Sequence, residues 1–299
     1  MIIVGVFAPA KDDESKEEEE EEEETIVPPI VFSGKAKELD EALGGALSEL
    51  AAENSKAFQN GSNAGKMTPV ARIRDNGGVT RRFALLGLGH ESTKKKEEEN
   101  VKDSAVADAA AAAALVTKAA SAVASSCHDQ KKATTCHVLL PLSSPLTNNN
   151  GEEERALLQT FSTEFHSNLY SDNRYRTGKK IEVKAEDVKS VKLFLESSSS
   201  TSSEDILASS IATGIQIASG ISLTRDIVNA PHNVLNSESL AETARRIALE
   251  SGGSIKCEIL GKEECEARGM GAYLGVARGS ETEPQFIHLT YKPASGSIK

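Results

Sequence analysis

The chain has 299 residues, 38% of them apolar and 26% charged, with a net charge of −11. That length accommodates two domains of ordinary size, each with its own core. Residues 11–24 hold eleven acidic side chains and two lysines, so the rest of the chain carries only about −2. No basic stripe of the kind that reads nucleic acid is left, and none is expected to bind here.

The first residues, Met1-Ile-Ile-Val-Gly-Val-Phe-Ala8, lack a basic n-region and a small-residue cleavage site and predict a strand. No window holds eighteen consecutive apolar residues, so no membrane span is expected. An organellar transit peptide is basic and poor in acids, the reverse of this beginning. The four cysteines, Cys127, Cys136, Cys257 and Cys265, form no CxxC pair, which points to a reducing, cytoplasmic location.

The acidic insert at residues 11–24 contains eight consecutive glutamates, which repel one another and bury nothing, so it predicts a solvated loop. An extended piece is expected at residues 26–32. Leu39, Leu43, Leu47 and Leu50, with Ala42 and Ala46, recur at spacings of three and four and predict one helix with a single apolar stripe. Residues 70–74 and 83–89 predict strands around an Asn76-Gly77-Gly78 turn.

Residues 101–124 are rich in alanine and predict a long helix. A buried strand is expected at 137–142, a loop at 145–151, a helix at 152–169 and a further strand at 188–195. Strands alternating with helices predict an α/β layer around a largely buried sheet.

Residues 196–203, Glu-Ser-Ser-Ser-Ser-Thr-Ser-Ser, read as a flexible linker. The domains are accordingly expected at 1–196 and 204–299, with 197–203 between them. A helix should run to Asn229, where Pro231 stops it, and a second should start at Ser237 and end at Gly252-Gly253. Ile255, Cys257 and Ile259 alternate with polar residues as in a strand, and a short helix is expected at 263–268 before a glycine-rich crossing. Residues 286–291 predict a last strand that reads as buried, with no partner strand after it.

Candidate chemistry is sparse. Cys127-His128 and Cys136-His137 have a zinc-like composition without zinc-knuckle spacing, and Cys136 opens an apolar strand, so core packing is expected. Gly87-Leu-Gly89-His90 lacks a third glycine and an immediate helix, which makes it a strand-end turn rather than a phosphate cradle. His166 lies on a helical face and His288 on a strand, each expected as a packed or surface residue, and Glu281 and Glu283 fall in an exposed loop. The residues by themselves assemble no active site.

One stretch carries a more specific signal. Thr224-Arg-Asp-Ile-Val-Asn-Ala-Pro-His-Asn-Val-Leu235 leads into the Ser-Glu-Ser-Leu-Ala-Glu helix. Gly269-Met-Gly-Ala-Tyr-Leu-Gly-Val-Ala-Arg-Gly-Ser280 and Pro284-Gln-Phe-Ile-His-Leu-Thr-Tyr-Lys-Pro293 follow in order. This series resembles the leucyl (cytosol) aminopeptidase family, with Tyr-Lys-Pro-Ala-Ser-Gly looking closest to its plant and algal branch. The first two hundred residues resemble the family's N-terminal domain more loosely, through Val4-Gly-Val-Phe7 and Leu85-Leu-Gly-Leu-Gly89. Asn229 and Asn233, on either side of Pro231, are expected to shape the chain between helices, and Met270 to pack.

The resemblance implies a macro-domain-like N-terminal α/β domain followed by the beginning of an α/β catalytic domain. It implies a cytosolic homohexamer that removes N-terminal residues, leucine among the best, from peptides. Two divalent metals, manganese or zinc, would polarise the scissile carbonyl and supply a bound hydroxide. In the family the ligands and the catalytic lysine begin in a Val-Gly-Lys-Gly-(Leu/Ile)-Thr-Phe-Asp-Ser-Gly-Gly motif a few residues past the strand matching 286–291. That motif does not fall within residues 1–299. No catalytic, cofactor-binding or metal-ligating residue is therefore assigned, and the stretch is expected to be an inactive fragment that does not bind the two metals. The alternatives are a non-catalytic assembly or regulatory subunit and a macro-like nucleotide-binding module.

Overall fold

The computed structural model describes residues 1–8, 30, 32, 34–54, 64–90, 101–130, 133–140, 152–181, 184–195 and 204–293. The acidic insert at 11–24, most of the extended piece at 26–32, the loop at 145–151 and the linker at 197–203 lie outside them. The chain forms two compact units, Met1–Ser222 and Leu223–Lys299. They divide within a helix, further along than the linker expected from the sequence.

The first unit is built on strands β1 (Ile2–Ala8), β2 (Ala71–Arg74), β3 (Thr80–His90), β4 (Thr135–Leu140) and β5 (Ser190–Leu195). They form one sheet in the order β2-β3-β1-β4-β5. β1 pairs in parallel with both β3 and β4, Ile3 lying level with Ala84 and with Val138, and β4 pairs in parallel with β5. Only β2 runs antiparallel, joined to β3 by the expected turn, in which Asp75 accepts from Val79 main-chain N at 2.8 Å through its carboxylate. Gly78 takes φ +79° there, a conformation that costs an L side chain energy.

Parallel neighbours require crossovers, and helices supply them. Helices α1 (Gly34–Ala42) and α2 (Ala46–Glu53) cover one face of the sheet, where Leu47, Leu50 and Ala36 meet Val4, Val6, Phe83 and Leu85. Helices α3 (Val101–Asp129) and α4 (Glu152–Asn168) cover the other, where Val116, Ala120, Val123, Phe161 and Phe165 meet Ile3, Leu86 and Val138. Alternate residues of each strand thus serve the two cores, the period-two rule of a sheet buried on both faces.

The single helix expected across Leu39, Leu43, Leu47 and Leu50 is two helices. Gly44 and Gly45 take φ +68° and +86°, which breaks the helix after Ala42. The leucines keep one apolar stripe across the break because both helices lie on the same core.

Helix α5 (Glu204–Asn229) buries only Ser210, Gly214 and Ala218, spaced four apart on one face. By length and mean hydropathy α5 and residues 110–129 of α3 could cross a membrane. The α3 stretch instead forms the core of the first unit.

The second unit contains α6 (Ser237–Glu250), β6 (Ile255–Leu260), α7 (Lys262–Ala267), α8 (Gly271–Ala277) and β7 (Phe286–Tyr291). β7 was expected without a partner, but it pairs antiparallel with β6, Ile287 opposite Ile259. Nor is it buried. Phe286, Leu289 and Tyr291 are all exposed, because α6 is the helix packed on this two-stranded sheet and a pair of strands has little core to offer. The glycine-rich crossing contains α8, a helix whose short glycine-interrupted stretch gives no periodic pattern.

Candidate functional site

The zinc-like quartet does not converge. Cys136 and His137 are neighbours on β4 and so point to opposite faces of the sheet. Cys136 joins Cys127 inside the α3–α4 core. His137 lies on the other face with its ring 5.7 Å from that of Phe194 and level with Lys192. Partial burial holds the His137 imidazole below its ordinary pKa, with Lys192, the amino group of Met1 and Arg81 adding repulsion against its protonated form.

The Gly87–Gly89 stretch is strand throughout, not a turn at its end. Gly87 accepts from Gly65 main-chain N at 2.8 Å and donates to the Lys66 carbonyl at 2.8 Å. Its amide is committed to this pairing and cannot serve a phosphate. A side chain at Gly65 would place its Cβ 2.7 Å from that of Lys118, so this is a site where only glycine allows the backbone so close to α3.

His166 opens to solvent on α4 but sets its ring edge-on to Phe165 at 5.4 Å, and this partial burial lowers its pKa. His288 is exposed on β7 opposite Glu258. Glu258 is paired instead with Arg268 at 3.2 Å and Lys256 at 4.0 Å. Such exposed pairs contribute about 0–1 kcal/mol and fix no reactive geometry.

Several clefts open on the first unit. One, about 770 Å³, lies between residues 64–70 and α3 and includes Lys118 and Asp129. Those two stand eleven residues apart on α3, roughly 16 Å along its axis, too far to act on one atom. Another, about 400 Å³, is lined mainly by apolar residues such as Phe161, Phe165, Val191 and Ile215. Ser162 and His166 also line it, but the Ser162 hydroxyl donates to the Ile211 carbonyl at 3.0 Å. A third, about 430 Å³, is lined by Arg81, Arg82, Thr135 and His137 among others.

In the second unit the loop bearing Glu281 and Glu283 is tied down by its backbone. Ser237 Oγ donates to the Glu283 carbonyl at 2.6 Å and accepts from the Thr282 hydroxyl at 2.9 Å. Pro231 accepts from main-chain N of Val234 and Leu235 at 2.8 and 2.9 Å, which folds the chain between α5 and α6. Asn229 closes α5 and Asn233 is exposed in this turn, but the residue that starts α6 is Asn236. Its side chain accepts from Ser239 N at 3.0 Å while its own N donates to Ser239 Oγ at 2.9 Å. The Asn-x-x-Ser spacing before the helix was the available signal for this cap. Met270 is half-buried, and its carbonyl accepts from Leu274 N at 3.1 Å to open α8.

Among the described residues no group of three or more His, Cys, Asp or Glu side chains is placed to hold a metal ion. These residues therefore do not fit a pair of divalent metals.

The order of the elements, a sheet of five strands followed by a helix and a second α/β unit, defines a two-domain α/β protein. Residues 3–179 match the model of the cytosol aminopeptidase family's N-terminal domain, and residues 222–299 match that of its catalytic domain. The chain belongs to the cytosol aminopeptidase family. It is 57% identical over 82 residues to a "Probable cytosol aminopeptidase" of Synechococcus sp. strain JA-2-3B'a(2-13), a match covering 27% of this chain and 16% of that protein. A protein of the same description from Acaryochloris marina is 53% identical over 87 residues, 29% of this chain and 17% of the relative.

A point mutant of tomato leucine aminopeptidase superposes with a TM-score of 0.62 at 25% identity, over 99% of this chain and 49% of that one. The bottromycin maturation enzyme BotP, solved in complex with manganese, shares the fold at a TM-score of 0.53 and 20% identity, over 82% of this chain and 42% of its own. The chain thus spans about half the length of the tomato structure.

Proposed function

We propose that residues 1–299 are the N-terminal domain and the opening of the catalytic domain of a leucyl-type metalloaminopeptidase, which releases N-terminal residues from peptides. The observation that carries this reading is the pair of family matches, N-terminal domain then catalytic domain, in the family's order. On this reading residues 1–196 form the macro-like domain, 197–203 the linker and 204–299 the start of the catalytic domain. On the same reading the full-length protein is a cytosolic homohexamer with two divalent ions, manganese or zinc, none of them held by residues 1–299.

On this reading the hydrolytic steps belong to residues beyond this stretch, in keeping with the lack of a metal-holding group of His, Cys, Asp or Glu among the described residues. Purified 1–299 is expected to show no hydrolysis of leucine amide above buffer with manganese or zinc present, and no tight binding of either ion by calorimetry. Robust turnover would overturn the inactivity. The aminopeptidase reading itself is tested by sequencing the message downstream of the codon for Lys299. Continuation in frame into the Lys- and Asp-bearing ligand motif supports it, and a stop codon there overturns it for this product.

A second reading, a non-catalytic subunit that assembles with full-length relatives, is favoured by the two-stranded sheet β6-β7, whose outer edges have no further strand among the described residues. An open strand edge can accept a strand from another chain. Mixing with a full-length relative should then give co-elution, and separate peaks would exclude it.

A further inference from the structure

His137 and the cleft beside it are unused by the reading above. The cleft, about 430 Å³, opens where β3, β1 and β4 of the first unit begin. Register places its cations together. Ile2 is level with both Phe83 and His137, His137 is level with Lys192, and Arg81 stands two residues before Phe83. Arg81, His137 and Lys192 therefore project from one face of the sheet, with β3 and β4 roughly 10 Å apart across β1. Both Arg81 and His137 line the cleft, and the hydroxyls of Thr80, Thr134 and Thr135 line it too. Among the described residues that line it there is no Asp or Glu.

The charge gathered here is only partly balanced. Asp75 meets Arg81 Nη2 at 3.3 Å, yet the Arg81 side chain stays 54% exposed, and a guanidinium has five N–H donors to share. The Met1 amino group is committed to the Thr135 carbonyl at 2.8 Å. Burial, then Lys192 from β5, the Met1 amino group and Arg81 from β3, all oppose protonation of His137. An anion in the cleft would relieve that repulsion.

We propose that this cleft binds a phosphate group, free or as the monoester of a small molecule, with Arg81 and His137 as its ligands and Lys192 adding charge. A guanidinium presents paired N–H groups to either a carboxylate or a phosphate. A tetrahedral phosphate that is dianionic near neutrality offers acceptors in several directions and balances two cations, where a carboxylate balances one. The volume falls within the range of about 300–1,000 Å³ typical of small-molecule sites, which leaves room for an organic group beyond the phosphate.

The test follows the His137 imidazole by NMR in the full chain, its resonance assigned by its loss in His137→Gln. A bound anion favours the protonated ring, so the His137 midpoint should lie about half a pH unit or more higher in inorganic phosphate than in sodium chloride of equal ionic strength. By reciprocity the protonated form then binds phosphate about threefold or more tighter than the neutral form. His166 on α4 does not line the cleft and should not move. In an Arg81→Gln, Lys192→Gln double variant, two exposed positions, the midpoint in chloride should rise as repulsion is removed, and the further rise in phosphate should vanish. Repeating the wild-type titration with glycerol 3-phosphate distinguishes the two sources. A larger rise than with inorganic phosphate assigns the cleft to monoesters, an equal or smaller one to the free ion, and each supports a phosphate site. A His137 midpoint that is the same in phosphate and chloride, or that moves equally with His166, overturns the proposal, as does a phosphate-dependent rise that the double variant keeps. The wild-type comparison decides even if the variant does not fold.

Discussion

Gly214 of α5 lies against Ser162 of α4 with no room for a side chain. A Cβ on Gly214 would fall 2.5 Å from the carbonyl oxygen of Gln159 and 2.7 Å from Ser162 Cβ. The same approach lets Ser162 Oγ donate to the Ile211 carbonyl at 3.0 Å and Thr163 Oγ1 to the Gly214 carbonyl at 3.3 Å. In an open helix, Gly→Ala stabilises by about 1 kcal/mol. Here one obstacle is backbone and cannot swing away, so the sign reverses. Gly214→Ala should destabilise the first unit by roughly 1–3 kcal/mol, the usual range for overpacking. A Cβ added to Gly220 on the same helix would meet nothing within 4 Å, so Gly220 serves as the control. Urea denaturation should lower the midpoint for Gly214→Ala and leave it unchanged or raised for Gly220→Ala.

A buried aspartate holds the break between α1 and α2. Gly45 precedes α2 but has no side chain to cap it. Asp40, still within α1, reaches across the glycine turn and accepts from Leu47 N at 2.8 Å and Ser48 N at 3.1 Å, with Ser48 Oγ as a third donor. These are amides that a helix start leaves without intrahelical partners. Asp40→Ala should cost about 1–2 kcal/mol, at the upper end for a lost cap because the site is buried. Thermal unfolding followed by circular dichroism reads the loss, and an unchanged midpoint would refute the capping role.

What the sequence conveyed and what it withheld divide along the same line as these two cases. Apolar periodicity located α4, α6 and β6, because each buries a face whose spacing is written locally, while alanine content located α3. It merged α1 with α2, since the leucine stripe survives the break and only the dihedrals of Gly44 and Gly45 reveal it. Residues 286–291 were legible as a strand but not as an exposed one, because exposure depends on what packs there. The pairing of Ile259 with Ile287 and the gathering of Cys127 and Cys136 into one core join segments that fold separately, which no periodicity encodes. At the candidate site the opposite orientations of Cys136 and His137 were available from strand alternation. The commitment of the Gly87 amide to Lys66 was not.

Asn236 is predicted to matter more than Asn229 or Asn233 for the turn between α5 and α6. Its reciprocal bonds with Ser239 satisfy two groups at the start of α6, the amphipathic helix of that unit. Asn236→Ala should reduce stability by about 1 kcal/mol, while Asn236→Asp, which keeps an acceptor beside the positive end of the helix dipole, should be near neutral. Hydrogen exchange at the Ser239 amide should speed up in the alanine variant alone. Equal exchange in both variants would show that the cap is not formed in solution.

The pH dependence of one exposed pair can be read directly. Arg174 Nε and Nη2 donate to the two oxygens of Asp172 at 2.9 and 2.8 Å, and the guanidinium is itself positioned 5.2 Å over the Tyr175 ring. Hydrogen bonding from the Arg174 side chain, then its main-chain N and charge, hold the Asp172 carboxyl at about 2. A carboxyl lowered in the folded state favours folding when ionised. Its contribution is therefore complete above the ordinary carboxylate range near pH 4 and is lost as pH falls through about 2. The carboxyl carbon of Asp172, followed by NMR, should titrate near 2 in the wild type. Arg174→Ala should return the midpoint toward that of an ordinary aspartate, whereas Arg176→Ala, which removes the smallest of the favourable influences, should move it less. A wild-type midpoint near 4 would mean that the two-pronged pair does not persist in water.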